Sequence, residues 1–149
     1  MRYSYSSQRI AVALLPLQMN TELPDTLRTD EVRIVIVEDH DATRYAFARM
    51  LSHRGYKVVS AADANEALTA VAEADPHCIL LDLGLPDIDG SDLTLLLRAR
   101  YGSSLVIIAV TGIEELDVHD AAERAGVDYI LRKPLEVDKL LAILPPIGE

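Results

Sequence analysis

Five short apolar runs, each ending near a polar residue and each followed by a segment with helical spacing, constrain this chain more than any other feature. Val32, Ile34, Val35, Ile36 and Val37 form a β-branched run that stops at Glu38-Asp39, and Tyr56–Ala61, Cys78–Leu81, Leu105–Val110 and Val127–Leu131 repeat the theme. Runs this short, with little polar alternation, suit strands buried on both faces of a parallel sheet. The segments between them begin and end on local signals. Asp41 is placed to cap a helix whose Thr43, Phe47, Met50, Leu51 and Arg54 share one side, and Gly55 stops it. Asp63 with Glu66 three places on makes an Asp form of the capping box, and Asp75-Pro76 closes that second helix after Ala74. Ser91 is placed to cap a third, carrying Leu93, Leu96 and Leu97 and ended by Tyr101-Gly102. A fourth runs Asp117–Ala125 to Gly126, and a fifth, Val137–Leu144, to Pro145-Pro146. Strand and helix alternating in this way predict one α/β domain with a doubly wound parallel sheet and right-handed crossovers.

In open α/β sheets ligands collect beyond the carboxyl ends of the strands. Those ends carry Glu38-Asp39, Asp82, Thr111 and Lys133. Asp82 also opens the loop Leu83-Gly84-Leu85-Pro86-Asp87-Ile88-Asp89-Gly90, where Pro fixes φ and Gly permits positive φ. Two carboxylates about 4 Å apart repel by roughly 4 kcal/mol at an effective dielectric near 20, and a third adds more. A divalent cation answers that repulsion. Oxygen donors with no paired His or Cys beside them favour Mg²⁺ completed by water. Thr111 and Lys133 then offer a hydroxyl and a fixed positive charge to an anion such as phosphate. In this reading Asp82 is a nucleophile toward a phosphoryl group, Mg²⁺ and Lys133 neutralise its oxygens, and Thr111 hydrogen-bonds one of them, giving an aspartyl phosphate. A plainer alternative makes these residues strand-end caps, with an internal salt bridge between Lys133 and Asp82. Any one of them fits it; their coincidence at successive strand ends favours the phosphoacceptor.

Composition narrows the partners. A net charge of −10 over 149 residues opposes non-specific binding to nucleic acid, which needs clustered Lys and Arg to release phosphate counterions. The single cysteine, Cys78, lies in an apolar run and cannot form an internal disulfide, which favours a buried thiol in a reducing cytoplasm. Residues 1–31 read as a flexible extension, and Met19 is an alternative start. Its apolar stretch, Ile10–Leu15, is too short to span a bilayer and no cleavage site follows, so neither a membrane anchor nor export is expected. His40 reads as a solvated loop residue, His53, His77 and His119 show no metal spacing to one another or to Cys78, and Glu114, Glu115, Asp117 and Asp120 read as a solvated face.

On these residues the chain from about Val32 to Leu144 resembles the receiver domain of two-component response regulators. Glu38 and Asp39 match that family's acidic pair, Asp82 its phosphoacceptor, Thr111 its switch Thr or Ser, and Lys133-Pro134 its Lys-Pro. The stretch Leu81-Asp82-Leu83-Gly84-Leu85-Pro86-Asp87-Ile88-Asp89-Gly90 resembles versions found in hybrid sensor kinases and their relatives. The resemblance implies a flavodoxin-like (βα)5 fold with sheet order 2-1-3-4-5 and a receiver domain over residues 32–146. It implies phosphoryl transfer to Asp82 from a histidine kinase or histidine phosphotransfer protein. It also implies Mg²⁺ held by Asp39, Asp82 and the Gly84 carbonyl with Glu38 alongside, and a cis Lys133–Pro134 bond. The fourth helix, fifth strand and fifth helix are the surface it offers for a homodimer. The chain stops soon after the fifth helix, so a stand-alone module that signals through another, unidentified protein is expected.

Two departures matter. The family usually has Tyr or Phe three residues before the Lys, and here that position is Ile130. Tyr129 is one place earlier, where strand alternation aims it at the opposite face. Gly84 and Ile113, which flank the reaction path in the family, have no side chain able to orient a water, so slow self-dephosphorylation is expected. Two other classes compete. An aspartate-nucleophile phosphatase of haloacid dehalogenase type wants a second Asp two places after the first, where this chain has Gly84. A phosphate-independent scaffold is favoured by Ile130 and opposed by the full set Asp39, Asp82, Thr111 and Lys133.

Overall fold

The computed structural model describes residues 31–112 and 116–146. The expected extension up to residue 30, with Ile10–Leu15, and the positions Ile113, Glu114 and Glu115 lie outside the described residues. Strands β1 (Arg33–Val37), β2 (Lys57–Ala61), β3 (Cys78–Asp82), β4 (Val106–Thr111) and β5 (Tyr129–Arg132) alternate with five helices. These are α1 (Asp41–His53), α2 (Ala64–Ala74), α3 (Gly90–Tyr101), α4 (Leu116–Ala125) and α5 (Val137–Ile143). Every ladder is parallel and the order is β2-β1-β3-β4-β5, the flavodoxin-like arrangement. The winding reverses between β1 and β3, so the crevice of a doubly wound sheet falls where Glu38 and Asp82 leave their strands.

Strand alternation sorts the core into two layers. Val35, Val37, Ile79, Leu81 and Ile107 face α2 and α3, packing on Ala67, Val71, Leu93 and Leu97. Ile34, Ile36, Cys78, Leu80, Ile108 and Val110 face Leu51 of α1 and Leu140 of α5. All five residues of β3 are buried, and each large apolar side chain so placed contributes roughly 1.5–3 kcal/mol. β3, flanked by β1 and β4, is thus a buried central platform for the side chain at its tip.

Two helix starts differ from the sequence expectation. α1 is capped by His40, whose Nδ1 accepts from the Thr43 N–H at 3.3 Å, and Asp41 is the first helical residue. α3 is capped by Asp89, whose Oδ1 accepts from the Ser91 N–H at 2.8 Å. Ser91 is therefore inside the helix, with its Oγ buried and without a partner. The reason is Gly90. A Cβ there would sit 2.7 Å from Leu83 Cα, and the Gly90 N–H donates to Leu83 O at 3.2 Å, so α3 must begin against the β3 exit. Leu96, grouped with Leu93 and Leu97 by spacing, is 42% exposed, while Thr94 is buried and donates to Gly90 O. Gly55 and Gly126 follow α1 and α4 at φ of 100° and 107°, as expected of helix stops. The Lys133–Pro134 peptide is cis. No helix among the described residues is long and apolar enough to cross a membrane.

Candidate functional site

The acidic pair is shaped by the helix that follows it. Glu38 extends the β1–β2 ladder through its N–H to Ala61 O at 3.0 Å, and its Oε2 accepts the His40 N–H at 3.0 Å. Arg44 folds back from the first turn of α1, donating from Nη1 to Glu38 O at 2.9 Å and pairing through Nη2 with Asp41 at 2.6 Å. The loop is thereby clamped with Glu38 turned inward and Asp39 exposed.

Asp82, at the tip of β3, is only 5% exposed. Its Oδ1 accepts the Gly84 N–H at 2.9 Å and its Oδ2 faces Lys133 Nζ at 3.1 Å, so both oxygens are oriented. Lys133 follows β5 and is tied to β4 by its own N–H, which donates to Thr111 O at 2.8 Å. Thr111 is buried one residue beyond Val110, the β4 partner of Asp82, and its Oγ1 reaches Gly112 O at a long 3.4 Å. The salt bridge of the plainer alternative is therefore present, yet it engages one of three acids. Oxygens of Glu38, Asp39 and Asp82 lie within 4.8 Å of one another. That is comparable with the 4 to 5 Å, roughly, between opposite oxygens around a bound Mg²⁺ or Ca²⁺. Glu38 records the crowding: burial foremost, then the Asp82 charge and a hydrogen bond to Asp82, raise its pKa above the usual carboxylate value, against the lowering influence of the His40 N–H and Lys133.

A cavity of about 520 Å³ adjoins these groups, lined by Glu38, His40, Asp82 and Lys133 with apolar Phe47, Leu80, Val110 and Leu135. The fold thus gathers Glu38, Asp39, Asp82 and Lys133 in mutual reach, sets Gly84 on Asp82 through its N–H, and seats Thr111 on the adjoining strand end. Tyr129 packs with Leu131 in the layer under α1 and α5, while Ile130 lies against Leu83, Ala109 and Ala122 on the α4 side. Arg44 and the capping role of His40 escape the sequence reading. The available signal for Arg44 is its spacing, three residues after Asp41 and six after Glu38, which lets a first-turn side chain fold back over the preceding loop.

Known proteins share this architecture. A family model for the response regulator receiver domain matches residues 34–145. Response regulator MprA of Mycolicibacterium vanbaalenii is 37% identical over 111 residues, 74% of this chain and 48% of that protein. The chain spans about half the length of the curated relatives it matches. A CheY-like response regulator receiver domain protein from Methanospirillum hungatei gives a TM-score of 0.70 at 31% identity, covering 74% of this chain and 88% of that one. A response regulator receiver protein from Pseudomonas putida gives a TM-score of 0.71 at 28% identity, covering 77% and 96%.

Proposed function

The chain belongs to the response regulator receiver family, and from that premise we propose that Asp82 accepts a phosphoryl group from a phosphohistidine on a kinase or phosphotransfer protein, with residues 32–146 as the working unit. One observation carries the assignment: a buried carboxylate whose two oxygens are separately held, by the Gly84 N–H and by Lys133 Nζ, next to two further acids. An Asp82 oxygen forms the new bond to phosphorus as the bond from phosphorus to the imidazole nitrogen breaks, and the imidazole leaves with that electron pair. Lys133 follows the charge from the carboxylate to a phosphoryl oxygen. Thr111 supplies a hydroxyl donor to another. The donor set fits Mg²⁺, held by Asp39, Asp82 and the Gly84 carbonyl with Glu38 beside them, and the bound ion would neutralise the phosphoryl oxygens. Glu38, kept in place by the His40 N–H and by Arg44 on its carbonyl, fixes the acidic wall of the site.

Output goes through contact with another protein, in keeping with the net charge of −10, which opposes nucleic acid. With Ile130 on the α4 side, any conformational response runs through Thr111 and α4 without an inward-turning aromatic, and the surface of α4, β5 and α5 is the one we assign to self-association. Nearly identical loops with and without beryllofluoride would count against a switch. Incubation with acetyl phosphate and Mg²⁺ followed by intact mass measurement tests the assignment. Wild type gains the mass of one phosphoryl group, and Asp82→Ala or excess chelator prevents it; equal gain in Asp82→Ala, or none in wild type, overturns it. The acyl phosphate outlasts the first minutes in Mg²⁺, because Gly84 presents no side chain to direct a water, and decay within seconds contradicts that.

A further inference from the structure

The loop that follows Asp82 is strapped to a helix on a different part of the chain. Asp87 Oδ1 accepts the Ala64 N–H and Oδ2 the Asn65 N–H, each at 3.0 Å, so its carboxylate caps the amino end of α2 from 23 residues away. It satisfies the donors that the helix's own cap leaves over. Asp63 takes the Glu66 N–H at 2.8 Å, and the Ala67 N–H goes to Asp63 O, so Asp87 completes the first turn. Those bonds hold the Asp87 carboxyl below the usual carboxylate range despite its exposure.

This cap has a second end. Leu83 is fixed through its N–H to Val110 O at 3.1 Å, and Gly90 presses on Leu83, so both feet of the loop are rigid. Between them Leu85 and Ile88 only partly bury themselves on the α2–α3 core, and the Asp87 carboxylate is the polar tie that fixes the crest. The Gly84 N–H, three residues before Asp87, holds Asp82 Oδ1 at 2.9 Å. We propose that Asp87 is a positioning residue for the Asp82 site: by anchoring the loop crest to α2, it fixes the Gly84 peptide and so the rotation of the Asp82 carboxylate toward the cation. This deepens the phosphoacceptor reading and rests on it.

Calorimetric titration with MgCl2 tests the strap. Asp87→Ala raises the Mg²⁺ Kd roughly tenfold, the lower end of the loss seen when an outer partner of a metal ligand is removed. Asp87→Asn, whose amide oxygen accepts one N–H and whose amino group opposes the other, falls between. In Asp87→Ala the half-maximal rate of phosphorylation by acetyl phosphate is reached only at a correspondingly higher Mg²⁺ concentration. Asp63→Ala removes a charge and a cap from the same helix end, so it lowers the thermal midpoint comparably and leaves the Mg²⁺ Kd unchanged. Equal loss of Mg²⁺ affinity in Asp63→Ala overturns the proposal, as does a Kd within twofold of wild type in Asp87→Ala. Asp39→Asn separates the two levels. If it abolishes Mg²⁺ binding while Asp87→Ala does not weaken it, the strap alone is wrong. If Asp39→Asn binds as wild type, the cation site is wrong and the strap falls with it.

Discussion

The two rims of the sheet both bury charge, and they handle it in opposite ways. At the amino rim Arg98 of α3 donates to the carbonyls of Gly102, Leu105 and Gly126 and pairs with Asp128 at 2.6 Å, while Asp128 also accepts the Ile107 N–H. His77 Nδ1 accepts the Arg33 N–H there, and Arg33 in turn reaches Ala74 O and Asp75 O. Donors and acceptors are matched, and the network stitches α3, β4 and the entry to β5. At the carboxyl rim three carboxylates converge, and among the described residues Lys133 is the one cation in ion-pair contact with any of them. Matched charge serves the fold alone. Surplus charge of one sign, held in place by Gly84, His40 and Arg44, has a use only when something else binds.

Breaking the amino rim has the largest effect on stability. Arg98→Ala leaves the partly buried Asp128 without its guanidinium and three carbonyls without their donor, and is expected to cost about 3 kcal/mol, read as a lower urea midpoint, with Mg²⁺-dependent phosphorylation persisting under folding conditions. The matching change at the other rim, Asp82→Asn, relieves repulsion as it removes an ion pair and is expected to shift stability by less than about 1 kcal/mol. If Asp82→Asn destabilises as much as Arg98→Ala, the rims do not differ as described.

Mg²⁺ sharpens the contrast next. Of the two rims, the carboxyl one gathers three carboxylates among the described residues, so Mg²⁺ at a hundred times its Kd is expected to stabilise wild type by about 2.7 kcal/mol. Asp39→Asn removes that gain, seen as a thermal midpoint that no longer responds to Mg²⁺, and Arg98→Ala retains it.

The smallest effect is a pair of opposed pH slopes. Burial and the nearby Arg33 charge lower the His77 pKa from 6.5 to about 4, so the unfolded chain takes up a proton that the folded one refuses. The His77 contribution is full above pH 6.5 and is lost as the pH falls toward 4. Glu38 runs the other way. Its raised pKa means the folded chain keeps a proton the unfolded one has released, so its ionisation penalty fades as the pH falls through the folded value toward 4.5. Urea midpoints between about pH 7 and pH 5 should therefore show wild type losing ground to His77→Asn and gaining on Glu38→Gln. Slopes of the same sign contradict the assignment of the two rims.

The carboxyl rim is legible in the sequence because a doubly wound sheet needs only local patterns to place its strand ends together. Each apolar run stops where its strand leaves the two packed layers, so Glu38, Asp82, Thr111 and Lys133 fall at one edge once five strand–helix units are recognised. The opposite faces of Tyr129 and Ile130 follow from strand alternation alone. What the pattern does not carry is contact across the chain. Nothing in local spacing couples Asp87 to Ala64, or Arg98 to Asp128, because those pairings depend on where loops are set down after the layers pack. The two misplaced caps have the same origin. His40 and Asp41, and Asp89 and Ser91, offer competing acceptors within two residues, and the close approach of Gly90 to Leu83 decides between the second pair.

Borohydride trapping reads out whether the Asp82 carboxylate becomes an acyl phosphate. Reduction after treatment with acetyl phosphate and Mg²⁺ converts a phosphorylated aspartate to homoserine, which peptide mapping locates. Homoserine is expected at position 82 alone and only when Mg²⁺ is present. Phosphorylated protein that yields none, or yields it at another position, shows that Asp82 is not the acceptor.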